Sequence, residues 1–149
     1  MAKNTAPVYS LDARHSTDGT ATNVSPIGVT ITAAANDYTG ISANNVVLFT
    51  GDSVEGGYLQ RINLRAIGTN VATVLRIYVN NGSVATSATN NRYIDEIALP
   101  ATTASAVALT GPSLSRVMNL RLYAGERIVV GLATAVAAGW SVCAVGSKY

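Results

Sequence analysis

The side chains that could carry catalysis are few, and their spacing limits what they can do. His15 is the sole histidine. It lies between Arg14 and Ser16 in a polar stretch, with Asp12 and Asp18 near it in sequence. A general base needs an orienting carboxylate, and any polar loop brings acids this close. Asp95 and Glu96 are adjacent acids in a run that reads as a strand, where neighbours point to opposite faces, so they do not form an acid/base couple. Asp52 and Glu55 share the turn 51–57 and, with loop carbonyls, could ligate calcium. Two carboxylates are few for that ion, and solvated turn acids are the commoner arrangement. The same turn is glycine-rich, yet no Lys-Ser/Thr follows the glycines and no helix opens after them, so a plain loop is expected instead of a phosphate cradle. Cys143 stands alone with no histidine near it in sequence, which leaves no intrachain disulfide and no thiol pair for a metal. These residues assign no catalytic centre, metal site or cofactor.

Recognition has more to work with. Seven Tyr and one Trp could build a sugar-stacking platform. Trp140 shares parity with Val142 and Ala144 and reads as core. Tyr78 and Tyr123 are the exposed candidates, and a subunit contact would use them as readily. Arg residues stand singly along strand-like runs (Arg61, Arg65, Arg76, Arg92, Arg121, Arg127), which favours fixed bidentate pairing at an interface over solvated steering. Net charge is only +2 and no basic run occurs, so direct nucleic-acid binding is not expected. Charged residues make up 12% of the chain, against about 25% in an ordinary soluble domain. Thr, Ser, Asn and Ala replace them, giving a neutral, hydroxyl-rich exterior suited to burial against other subunits. No apolar run approaches about 18 residues, so no transmembrane helix or membrane partner is expected. The first residues lack a signal peptide's apolar core, from which we expect cytoplasmic synthesis without processing.

The elements that must position these groups are strands. Residues 1–26 are polar, carry Pro7 and Pro26, and show no period. They read as an extended arm over the surface or over a neighbour, with Val8, Tyr9 and Leu11 as points of attachment. Ile27, Val29 and Ile31 then alternate with Gly28, Thr30 and Thr32. The unbroken apolar run 46–50 predicts a strand covered on both sides. Ile62, Leu64 and Ala66 face in and Arg61, Asn63 and Arg65 out; after the turn 68–70, Leu75, Ile77 and Val79 face in and Arg76 and Tyr78 out. Read as neighbouring strands, these Arg-bearing faces call for an acid, which Asp95 or Glu96 could provide. Residues 93–99 form a strand ended by Pro100, and 107–109 a brief edge strand.

The closing stretch 116–146 alternates three times. Met118, Leu120 and Leu122 share one parity, then Ile128, Val130 and Leu132, then Trp140, Val142 and Ala144. With a tight turn at 123–126, this predicts three consecutive antiparallel strands. Sandwich, jelly roll and small barrel all fit the strand count. The long polar links 33–45, 80–92 and 100–105 disfavour an up-and-down barrel and select an all-β, antiparallel double-sheet jelly-roll-like sandwich of about eight strands over 27–149.

Two longer phrases carry a family resemblance. One is R-I-N-L-R-A-I-G-T-N-V-A-T-V-L-R-I-Y-V-N-N-G, followed by Y-I-D-E-I-A-L-P-A-T-T-A-S. The other is the closing R-L-Y-A-G-E-R-I-V-V-G-L-A-T-A-V-A-A-G-W-S-V-C-A-V-G, with Tyr149 after it. Over 27–149 the chain resembles small jelly-roll virion proteins of tailed bacteriophages. The resemblance implies a non-enzymatic cement or decoration subunit on the outside of the phage head, often a homotrimer, that bridges major capsid proteins. It contains no catalytic motif, so no active-site residues follow from it. Expected contact residues are Val8, Tyr9, Leu11 and Arg14 in the arm, Arg65, Arg76, Tyr78 and Arg121 on strands, and Tyr123 and Tyr149 beyond them. The alternative is a receptor- or carbohydrate-binding tail, baseplate or fibre module on the same fold.

Overall fold

The computed structural model describes residues 28–148 and the two-residue strands β1 (Arg14–His15) and β2 (Ser25–Pro26), which pair antiparallel with each other. The arm contacts Val8, Tyr9 and Leu11 lie outside the described residues, as does Tyr149. Arg14 and His15 are described only through that backbone pairing.

Eight strands build the domain: β3 (Gly28–Ile31), β4 (Val46–Thr50), β5 (Gly57–Ala66), β6 (Thr73–Asn80), β7 (Asn91–Leu99), β8 (Leu114–Leu122), β9 (Arg127–Leu132) and β10 (Trp140–Lys148). They form two four-stranded sheets ordered β3-β10-β5-β8 and β4-β9-β6-β7, antiparallel throughout. Strand 3 pairs with 10, 4 with 9, 5 with 8 and 6 with 7. The pairs are nested, as in one long hairpin rolled across two sheets, and the result is the expected jelly-roll-like sandwich.

Alternation explains the core. Ile62, Leu64, Leu75, Ile77, Ile128, Leu132, Trp140 and Val142 are buried on the inner faces. Each fully buried aliphatic side chain contributes roughly 1.5–3 kcal/mol, so the inward faces outweigh any surface contact. Trp140 is wholly buried, as its parity predicts.

Connectivity differs from the sequence expectation in four places. The closing strands are not a meander, because β8 and β10 lie in one sheet and β9 in the other. The turn at 123–126 forms, with Gly125 at φ 74° and Glu126 N–H bonded to the Tyr123 carbonyl at 3.1 Å, but it carries the chain between sheets. Likewise β5 and β6 are not neighbours, so 67–72 is a crossing and not a hairpin. Both sheets bury one face in the same core, so alternation fixes which face is inward and leaves the neighbour undetermined. Strand β4 is an edge strand with Val47 at 41% exposure; a register shift beside Leu48 lets Leu48 and Phe49 both reach the core, which explains the unbroken run. Finally, 107–109 forms no strand, and Val107 is 97% exposed.

Three crossings meet at one buried amide. Asn70 donates to the carbonyls of Gly68 and Gly139 and accepts from the N–H groups of Ala138 and Gly139. Thr102 adds a hydroxyl bond to the Gly68 carbonyl at 2.7 Å. Backbone bonds between Asn70 and Thr102 complete the knot. Loops that would otherwise bury unsatisfied polar groups are thereby locked to one end of the sandwich.

Candidate interaction surface

The two outer sheet faces are finished differently. On the β4-β9-β6-β7 sheet, the connection between β3 and β4 lies across the middle as a strap. Asp37 organises it. One carboxylate oxygen accepts from the Thr39 hydroxyl (3.0 Å), Gly40 N–H and Ile41 N–H (3.3 Å), and the other from Ser42 N–H (3.2 Å). Burial pushes this carboxyl up, but the bonds from Thr39, Gly40, Ser42 and Ile41 outweigh it and hold its pKa below the usual value of 3.8. At the strap's tip the Asn91 amide donates to the Gly40 carbonyl at 3.2 Å. Gly40 sits at φ 74°, and a Cβ there would come within 3.0 Å of the Tyr78 ring.

Beneath the strap lie Arg76 and Tyr78. Both were expected on an exposed contact face. They do point to the outer side of β6, as parity requires, yet Arg76 is 6% exposed and Tyr78 fully buried. Arg76 donates to the Asn36 side chain and the Asp37 carbonyl, each at 3.2 Å, and its guanidinium lies 3.9 Å from the centre of the Tyr38 ring. The Tyr78 hydroxyl donates to the Asp37 carbonyl at 2.6 Å. Burial first, and the Asp37 charge second, push that hydroxyl's pKa up to about 12. Of the two acids expected to meet the outward arginines, Glu96 stands opposite Arg76 in the ladder, while Asp95 takes a two-pronged bond from Arg116 of β8, at 2.5 and 2.7 Å. That pair links the two sheets across the mouth between edge strands β7 and β8.

Among the described residues, nothing crosses the outer face of the β3-β10-β5-β8 sheet. Its register sets Thr30, Ser141 and Arg65 in one row, Gly28, Cys143, Asn63 and Ser115 in the next, and Val145, Arg61 and Val117 in a third. Arg61 and Arg65 are exposed, and Val117 is 64% exposed. Arg121 follows, its guanidinium 5.8 Å from the ring centre of the exposed Tyr123. Short polar bonds tie the strands side to side, Ser115 to Asn63 at 2.9 Å and Tyr58 to Asn119 at 2.8 Å. Gly28 leaves room for its neighbour, since a Cβ there would approach the Cys143 sulfur to 2.8 Å. Among the described residues this face bears three arginines and no acid.

Of the expected contact residues, Arg65, Arg121 and Tyr123 thus stand on or beside one surface, while Arg76 and Tyr78 are structural. Sequence reasoning missed the grouping of Tyr38, Tyr93 and Glu96 on the strapped sheet. Tyr38 and Tyr93 lie 5.5 Å apart between ring centres, yet no local pattern links residues so distant along the chain. Asp52 accepts from the N–H groups of Val54 (2.8 Å) and Glu55 (3.0 Å), folding back on its own turn. Among the described residues no three His, Cys, Asp or Glu side chains converge as metal ligands, and no helix is long and apolar enough to cross a membrane.

Comparison with protein-family models, with curated proteins and with solved structures finds no match.

Proposed function

We propose that this protein is a non-enzymatic structural virion subunit, of the kind that cements or decorates the head of a tailed phage by bridging major capsid proteins. The observation that carries this reading is the asymmetry of the two faces. One is crossed by the protein's own chain; the other, among the described residues, is uncovered and bears three arginines without an acid. Arginine forks on such a face suit carbonyls and carboxylates presented by another subunit.

Size sharpens the reading. Three strands of nine or ten residues and the four-residue β3, side by side, span a face of at most roughly 30 by 19 Å at ordinary strand spacings. That is about 570 Å², short of the roughly 800 Å² per partner of a standard stable interface. A second contact has to supply the rest. Residues 1–26, reaching a neighbouring copy or the shell, and association into a homotrimer are the two sources this reading uses.

The test uses purified protein and particles stripped of it. Sedimentation is expected to give a trimer at micromolar concentration, and rebinding to stripped particles is expected to fail when residues 1–26 are deleted, with the domain still folded. A monomer whose shortened form rebinds like the full chain overturns the proposal.

A further inference from the structure

An aromatic corner stands on the strapped sheet beside β7. Tyr38 keeps 61% of its surface in solvent and Tyr93 37%. Their rings meet edge to face at 82°, and Tyr93 leans on buried Tyr78 at 5.8 Å. One face of Tyr38 is occupied by Arg76, which is itself fixed by Asn36 and the Asp37 carbonyl. Most of the rest of the ring lies in solvent. Tyr38 adds little to the core and covers the Arg76 guanidinium, which leaves much of its ring available to a ligand.

A bulge brings a carboxylate to the same place. In the β6·β7 ladder Ile77 pairs with Asp95 and Tyr78 with Tyr93, which leaves Ile94 as the extra residue. Without it, Tyr93 and Glu96 would point to opposite faces of the sheet; with it, both stand on the outer face with Tyr78 and Arg76. Glu96 is exposed, and in the ladder it stands opposite Arg76 on the same outer face as Tyr93.

We infer that this corner is a carbohydrate site that takes one neutral pyranose residue of a glycan. The sugar's C–H face stacks on the solvent-exposed part of Tyr38, whose electron-rich ring attracts polarised C–H groups. A pair of neighbouring sugar hydroxyls donates to Glu96. A clamped tyrosine loses little freedom on binding, which favours a weak ligand. Charge excludes the competing chemistries. Arg76 already lies against the ring and disfavours a second cation on its other face, and Glu96 repels an acidic sugar. The site uses the face opposite the proposed subunit contact and does not depend on it.

The experiment follows tyrosine ring resonances of the full chain during titration with methyl pyranosides of glucose, galactose, mannose and N-acetylglucosamine. At least one is expected to shift the Tyr38 and Tyr93 signals, with affinity falling about tenfold in Tyr38→Ala and less in Glu96→Gln. Both variants are expected to keep the wild-type unfolding curve, oligomeric state and particle rebinding. No shift at sugar concentrations up to about 50 mM overturns the inference. Unchanged affinity in Tyr38→Ala, or a preference for sialosides or tetramethylammonium, overturns it equally.

Discussion

Arg76 and Arg65 read alike in the sequence: each sits on a strand between inward-facing apolar residues, Leu75 and Ile77 for one and Leu64 and Ala66 for the other. In the folded protein one is buried and the other exposed. The difference lies in neither strand. It comes from the strap, about forty residues earlier in the chain, which crosses one sheet, while no described segment crosses the other. Which face a protein offers to others is therefore set by where its connections come to rest, more than by the strands themselves.

That contrast can be broken most severely at Tyr78. Tyr78→Ala should destabilise the domain by about 3–5 kcal/mol, because it empties a fully enclosed site and removes the shorter of the two hydrogen bonds on the Asp37 carbonyl. Arg65→Ala on the bare face should change stability by no more than about 0.5 kcal/mol. Urea unfolding of the two variants measures the difference directly; equal losses would mean that the faces are not distinct. Gly40→Ala tests the strap alone. Its φ of 74° and the 3.0 Å approach to Tyr78 should cost roughly 1–2 kcal/mol. Protection of the Ile41 and Ser42 amides from hydrogen exchange should fall with it, while β10 amides keep theirs.

The smallest effect is the most selective. Asp37 titrates below its ordinary value in the folded protein, so its contribution is fully present above the unfolded pKa of about 3.9 and is lost as pH falls through the folded one. Amide exchange in residues 40–42 should therefore quicken on acidification below pH about 4 in the wild type. Asp37→Asn should flatten that dependence and leave the amides of the bare sheet unaffected. A wild-type profile that the substitution does not alter would assign the acid sensitivity to another carboxylate.

Legibility in the sequence followed the range of the interaction. Inward faces were readable because alternation is local: Ile62 and Leu64, Leu75 and Ile77, and Trp140 and Val142 all lie where parity puts them. The turn at Gly125 was readable for the same reason. Partner choice was not. β8, β9 and β10 carry the same signal as a meander would, and only the two-sheet core decides that they alternate between sheets. The outward direction of Arg76 and Tyr78 was correct and their exposure was not, since a polar link such as 33–45 carries no mark of where it will lie. Tyr38, Tyr93 and Glu96 came together through that link and a single extra residue in β7, neither of which leaves a local pattern.

The nested strand order has one more effect. β10 is the last strand of the sandwich to be synthesised, yet it occupies the interior of its sheet, between β3 and β5, which touch no other way. Until it arrives, those two strands face an empty slot, and Trp140 is missing from the core. The complete sheet therefore forms late and all at once, after the slow closure of distant segments.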